Sequence, residues 1–345
     1  MDRLETLAKR VKLSRTSVAS YLKWMSGESK SSDKRYFRVV PDFNENALDL
    51  QTVDVFLDTP TLESIEKTET LCDKHPYTKY RARCYGGHSK ILAQFRIPKN
   101  TSNLLTRFLN ESKRHNEFED YQILPTEDVQ SLFTLPRLEH WNNKSFTWDF
   151  DWEKWASESV KRSKQIESLP NESKLHLLKK SDIAILGRLS QGMRRKQRVI
   201  IEELKEEGFD FTSQEFSRRL RILKNHFITR YHVYIDIEAF DLYSNLIITG
   251  KVTPKFSQDL QDRLQLHPIP FRSTLKITDC FMFWYLRLPP SHLSQLLNYL
   301  YKNMDGLNLS MVDYNKTWGY YIWADAFDDE TGGWRKDTDF LLCHD

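Results

Sequence analysis

Glycine is scarce in this sequence, 11 residues in 345, and neither G-x-G-x-x-G nor G-x-x-x-x-G-K-[ST] occurs. That removes the nucleotide folds that cradle phosphates on glycine-rich turns. Four cysteines in so long a chain cannot form a disulfide framework, which fits a reducing cytoplasm. No apolar run approaches the roughly 20 residues that span a bilayer, so no membrane association is expected. The start, Met1-Asp2-Arg3-Leu4-Glu5, lacks the apolar stretch of a secretion signal, and a cytoplasmic location is the expectation. No Ser-His-Asp or Cys-His set stands out either. The chain therefore reads as a non-enzyme without a cofactor.

What is present is unevenly placed charge. The net charge is only +3, yet residues 1–40 hold ten basic against four acidic side chains, and residues 179–230 thirteen against seven. Each island is +6, so the remainder sums to −9. Two cationic patches on an acidic body are what a protein facing a polyanion would show.

Both islands have the spacing of helix-turn-helix units. In the first, Leu4, Leu7, Ala8 and Val11 recur at helical intervals, and a turn follows at Lys12-Leu13. Ser14 then stands at an N-cap position before a second helix with Val18, Tyr21, Leu22 and Met25 inward. Arg15, Thr16, Ser17, Ser20 and Lys23 fall outward, where small hydroxyls fit a major groove and basic groups reach bases or phosphates. Lys34 and Arg35 open a strand in the wing position. In the second island, one helix carries Ile183, Ile185, Leu186 and Leu189, and another runs from Val199 to Leu204. Thr212 caps a third helix, with Phe216, Leu220 and Leu223 inside and Ser213, Gln214, Ser217, Arg218 and Arg221 outward. The segment from Phe227 to Asp236 is extended and would be its wing.

The order Asp182-x-x-Ile185-Leu186-x-x-Leu189, a second helix, a Ser/Thr-capped third helix and Ile228-Thr-Arg-Tyr231 resembles the Lrp/AsnC family of prokaryotic transcription regulators. The resemblance implies a winged helix-turn-helix joined to a small βαββαβ domain. A βαββαβ pattern does follow each island, and residues repeat with it. His75-Pro76 corresponds to His267-Pro268, Arg96-Ile-Pro98 to Arg287-Leu-Pro289, and Leu104-Leu105 to Leu296-Leu297, at 191–192 residues. The fold class expected is thus α+β, with two winged helix-turn-helix domains and two ferredoxin-like effector-type domains in tandem. The boundaries are 1–45 for the first winged domain, which lacks its leading helix, 46–133 for the first ferredoxin-like domain, 134–179 for a linker containing Trp141, Trp148, Trp152 and Trp155, 180–240 and 241–345.

The resemblance further implies a sequence-specific regulator of double-stranded DNA, with one chain acting as an intramolecular pseudo-dimer on an imperfect palindrome. It also implies a small-molecule effector near the central hairpins, at Gly86, Gly87 and His88 in one copy and Asp279 in the other. The alternative is an enzyme of the same architecture, similar to the sirohaem decarboxylases, with a tetrapyrrole received by His75, His88, Tyr77, Tyr80 and the arginines Arg81, Arg83, Arg96, Arg272 and Arg287. Cys72-x-x-His75 with Cys84-x-x-x-His88 has the ligand types of a zinc site. The second copy, however, has Leu264 where Cys72 would align, and buried thiols explain the same residues, so no metal is expected.

Overall fold

The structure, a computed structural model, describes residues 4–27, 36–87, 89–127, 129–160, 172–235 and 243–342. In chain order come α1 (Leu4–Val11), α2 (Arg15–Met25), β1 (Phe37–Phe43), β2 (Leu50–Asp58), α3 (Leu62–Lys74), β3 (Thr78–Tyr85), β4 (Lys90–Pro98), α4 (Ser102–Arg114), β5 (Tyr121–Ile123) and β6 (Leu132–Thr134). The two-residue strands β7 (Trp141–Asn142) and β8 (Thr147–Trp148) and the short helix α5 (Trp152–Ser157) follow. Next are α6 (Lys180–Ser190), α7 (Gln197–Glu206), α8 (Ser213–His226), β9 (Ile228–Ile235), β10 (Ser244–Val252), α9 (Pro254–Leu266), β11 (Ser273–Ile277), β12 (Phe281–Leu288), α10 (Leu293–Tyr301) and β13 (Met304–Gly319). Strands β14 (Phe327–Asp328) and β15 (Gly333–Trp334) and helix α11 (Thr338–Leu342) end the chain. This is a mixed α+β fold with largely antiparallel pairing. None of the described helices is long and apolar enough to cross a membrane.

The chain divides into two compact units, each built from two stretches of sequence. The first takes Met1–Asn44 and Lys179–Asp241, the second Glu45–Leu178 and Leu242–Asp345. Both helix-turn-helix segments therefore lie in the first unit. There β1 and β9 pair antiparallel, from Phe37↔Ile235 to Asp42↔Arg230. Asp42 accepts from Arg230 Nε at 2.6 Å, and His232 Nδ1 lies 3.1 Å from the same carboxylate. Helix α8 starts where Thr212 and Glu215 form a reciprocal capping box, and Phe216 and Leu223 bury its inner face. Its Arg219 turns inward to the fully buried Asp182 on α6. Helix α2 departs from the sequence reading. Val18 is buried, but Tyr21 and Met25, expected inside, are 57% and 37% exposed. Two short helices alone cannot enclose a row of side chains on every side.

The second unit is organised by one nine-stranded sheet, in the order β5-β2-β4-β3-β13-β10-β12-β11-β6. Its two halves repeat: β5-β2-β4-β3 in the first has the same connectivity as β13-β10-β12-β11 in the second. They join edge to edge where β3 meets β13. Strand alternation divides the side chains between faces. In the second half Leu246, Ile248, Trp284 and Leu286 pack under α9 and α10 with Phe256, Leu260, Leu296 and Leu300. The opposite face carries Phe56, Ala82, Cys84 and Leu92 from the first half and Ile247, Phe283 and Val312 from the second, in one apolar cluster.

That shared cluster means the sheet curls. Strands β2 and β11 lie six places apart, about 29 Å in a flat sheet at normal strand spacing. Yet Asp54 on β2 and Lys276 on β11 are 2.5 Å apart. The face between them is concave and closes on itself.

The segments after each half are exchanged. Residues 138–157, which follow the first half, pack on the second: α5 lies against α10, Trp152 Nε1 donates to His292 Nδ1 at 3.3 Å, and Trp155 Nε1 donates to the His267 carbonyl at 2.8 Å. Residues 324–342, which follow the second half, pack on the first: α11 lies against α4, Tyr77 Oη donates to the Arg335 carbonyl at 2.7 Å, and Trp334 Nε1 donates to the Leu48 carbonyl at 2.6 Å. The stretch read as a linker is thus core, with Trp148, Trp152 and Trp155 all buried.

Candidate functional site

The concave face of the sheet gathers polar groups that are too buried to be ordinary surface. Asp54 is fully buried and accepts three bonds at 2.5 Å, from Lys276 Nζ, Thr126 Oγ1 and Gln94 Nε2. Beside it lies a second cluster. Glu45, from the turn before β2, accepts from Lys79 Nζ at 2.7 Å, from Thr52 Oγ1 at 2.8 and 2.9 Å, and from Arg96 Nε at 3.1 Å. Burial alone would raise the Glu45 pKa, but the Lys79 and Arg96 charges outweigh it and hold the carboxyl well below its usual range. Lys79 is shifted downward, first by burial, against the opposing pull of Glu45 and with Arg96 and Lys276 adding to the shift.

Two further features complete the face. Tyr80 and Tyr285 bring their hydroxyls within 3.3 Å, one from each half. Burial, and then the neighbouring Tyr285, push the Tyr80 phenol well above its ordinary value, so it stays protonated near neutral pH. On β12, the Arg287 guanidinium stacks over the Tyr314 ring at 5.5 Å, and the Arg287 backbone N–H donates to the Arg272 carbonyl at 3.0 Å. Among the described residues, the central rows of this face therefore hold five cations, Lys79, Arg96, Arg272, Lys276 and Arg287, against two carboxylates, Glu45 and Asp54. An excess of positive charge in a partly desolvated concavity attracts anions strongly.

The residues singled out from the sequence fall elsewhere or divide. Ser14 and Ser17 spend their groups on capping α2, with Ser17 N–H donating to Ser14 Oγ at 3.0 Å. Arg15 pairs with Glu5 at 3.5 Å, and Thr16, Ser20 and Lys23 are on the same helix. Lys34 and Arg35 lie outside the described residues, as does His88. Thr212, Ser213, Gln214, Ser217, Arg218 and Arg221 cap or line α8, and Ser217 Oγ donates to Gln197 at 3.3 Å. Gly86 and Gly87 form the β3–β4 hairpin with φ of 145° and 70°. A Cβ on Gly86 would come within 2.6 Å of the Leu309 carbonyl, so close backbone packing at the seam between the halves already demands glycine there. Asp279 sits exposed on the separate β11–β12 turn.

The tetrapyrrole candidates also divide. Arg81 and Arg83 leave the concave face and pair with Glu69 and Asp73 on α3, Arg83 Nη2 at 2.7 Å from Glu69. His75 is buried against Phe95 and Phe108, its Nδ1 accepting from the Tyr77 N–H at 3.2 Å. Burial drops its pKa to about 3, offset only in part by the Leu341 backbone. It is neutral and enclosed, and Tyr77 is tied to the exchanged segment. Of the described candidates, Tyr80, Arg96, Arg272 and Arg287 remain on the concave face. Cys72 and Cys84 are buried thiols with pKa values pushed up to about 12 by burial. Among the described residues no three His, Cys, Asp or Glu side chains converge on a metal position.

Glu45, Thr52, Asp54, Lys79, Lys276 and Tyr285 were missed by the sequence reading. The available signal was a charge inside an apolar strand: Asp54 within Val53-Asp-Val-Phe-Leu57, and Lys276 between Leu275 and Ile277. Such residues stay buried only with a partner.

No protein-family model matches the sequence, and no curated protein matches it. Among solved structures, the siroheme decarboxylase NirDL in co-complex with an iron-uroporphyrin III analogue aligns over 99% of this chain and 90% of its own, with a TM-score of 0.50 and 9% identity. Another structure of siroheme decarboxylase NirDL covers 90% of this chain and 84% of that one, with a TM-score of 0.49 and 10% identity. At such identity the likeness is one of fold.

It corrects two expectations, a sequence-specific DNA-binding regulator and a protein without catalysis. A similar fold, along nearly the whole chain, is that of the siroheme decarboxylase NirDL, so basic helices in this architecture do not by themselves point to DNA.

Proposed function

We propose that this chain is a tetrapyrrole-binding enzyme of the siroheme-decarboxylase type, built on an Lrp/AsnC-like plan of winged helix-turn-helix segments and two ferredoxin-like halves. The observation that carries the reading is the cation excess on the concave face, in a fold shared with a protein solved with an iron-uroporphyrin analogue. A polycarboxylate macrocycle is a planar apolar body with an anionic rim. Phe283 and Ile247 are buried in the apolar cluster of that face, and Arg96, Arg272 and Arg287 offer counter-charge to the rim. Loss of CO2 from a side-chain carboxylate leaves a carbon that must take up a proton, and the Tyr80–Tyr285 pair is a protonated donor within the same concavity.

Titration of the purified protein with iron-uroporphyrin III, followed at the Soret band and by co-elution in gel filtration, tests the reading. A shifted band that co-elutes with the protein and weakens in Arg287→Met is expected. An unshifted band with no co-elution sinks it.

A further inference from the structure

We infer that Thr52, Lys79 and Arg96 form a carboxylate-binding subsite, and that Glu45 is its built-in occupant, displaced when a ligand carboxylate enters. The inference rests on the concave-face reading for the nature of the ligand, but its geometry is independent of it. The three donors stand on β2, β3 and β4, adjacent strands of the rigid sheet. Glu45 comes instead from the turn ahead of β2, at the chain boundary between the two units. The turn itself is fixed, with the Leu50 N–H donating to the Glu45 carbonyl at 2.9 Å and Ala47 and Leu48 fully buried, so exchange requires only rotation of the Glu45 side chain while the cradle keeps its shape.

Three observations point the same way. Glu45 and Lys79 keep 29% and 27% of their side-chain surface exposed, so solvent-borne anions can reach the pair, unlike the sealed Asp54–Lys276 pair. Two cations face one carboxylate, so the cradle remains positive even when Glu45 is seated. The cross-strand pair Thr52↔Arg96 also recurs in the second half as Asn245↔Arg287. In that copy the Asn245 Oδ1 is buried without a hydrogen-bond partner among the described residues. The repeated sheet thus carries the same polar row twice, and in the first copy the chain's own carboxylate is bound in it. Charge-assisted bonds to a carboxylate are strong, but exchange of one carboxylate for another preserves them nearly unchanged.

The experiment compares wild type with Glu45→Gln and Glu45→Asp, using iron-uroporphyrin III and citrate as probes in calorimetric titrations. Removing the internal competitor in Glu45→Gln is expected to tighten porphyrin binding about tenfold. Equal or weaker binding by a folded Glu45→Gln protein, folding being checked by circular dichroism, overturns the inference. Should Glu45→Gln not fold, Glu45→Asp decides. Its carboxylate falls one methylene short of the three donors, and about threefold tighter binding is expected; wild-type affinity or less overturns the inference. Should no variant bind the porphyrin, the tetrapyrrole reading fails and citrate judges the cradle alone. Citrate binding gained by the variant over wild type supports the subsite, and no gain refutes it.

Discussion

Acidification should expose the burial of His75 directly. Its ring is enclosed by Phe95 and Phe108, with a pKa lowered from 6.5 to about 3. The folded protein therefore refuses a proton that the unfolded chain accepts. As pH falls below 6.5 the unfolded state gains protons and the folded state does not, so stability is complete above that value and declines towards pH 3. Each pH unit in this window is worth about 1.4 kcal/mol, so lowering the pH from 7 to 5 should remove about 2 kcal/mol through this residue alone. Urea unfolding of wild type and His75→Gln at both pH values isolates the effect. The Gln carbonyl can still accept the Tyr77 N–H bond, and it does not titrate. The variant should lose about 2 kcal/mol less than wild type over the same interval. Equal losses in the two proteins would mean that His75 is hydrated, and would return it to the candidates for proton transfer.

Two other outcomes follow from the second unit. Lys276→Met leaves the fully buried Asp54 carboxylate without its cation and should cost about 3–5 kcal/mol in chemical denaturation, most of it restored in the double variant with Asp54→Asn. A single-variant cost under about 1 kcal/mol would show the pair to be solvated. Trp152→Ala empties a fully buried site in the second half's core and should cost about 3–5 kcal/mol. Hydrogen exchange should then rise in β11 and β12 before β3 and β4, whereas a uniform rise would contradict the exchanged packing of α5.

The alternation of apolar residues and the capping residues placed the helices and strands well. Ser14 and Thr212, read as caps, each accept the N–H bond that begins a helix, and the His-Pro and Arg-x-Pro repeats revealed the duplication. Those signals are local, or depend on comparing one stretch of sequence with another. The tetrapyrrole candidates were legible only in part, because residues on one strand point to opposite faces. Arg81 and Arg83 go to α3, while Tyr80 goes to the concavity. Reading the basic helices as DNA-directed failed for a related reason. Cationic helix faces serve many partners, and local sequence does not say which.

By itself, then, the sequence determined the elements and their repetition, since these depend on side chains within a few residues of one another. Only the tertiary structure decided which residues meet. The curl of the sheet brings Asp54 to Lys276, 222 residues away, and the exchange of segments sets Trp155 on His267 and Tyr77 under Arg335. Curvature and exchange are properties of the whole sheet, summed over nine strands, and no single stretch of the chain encodes them.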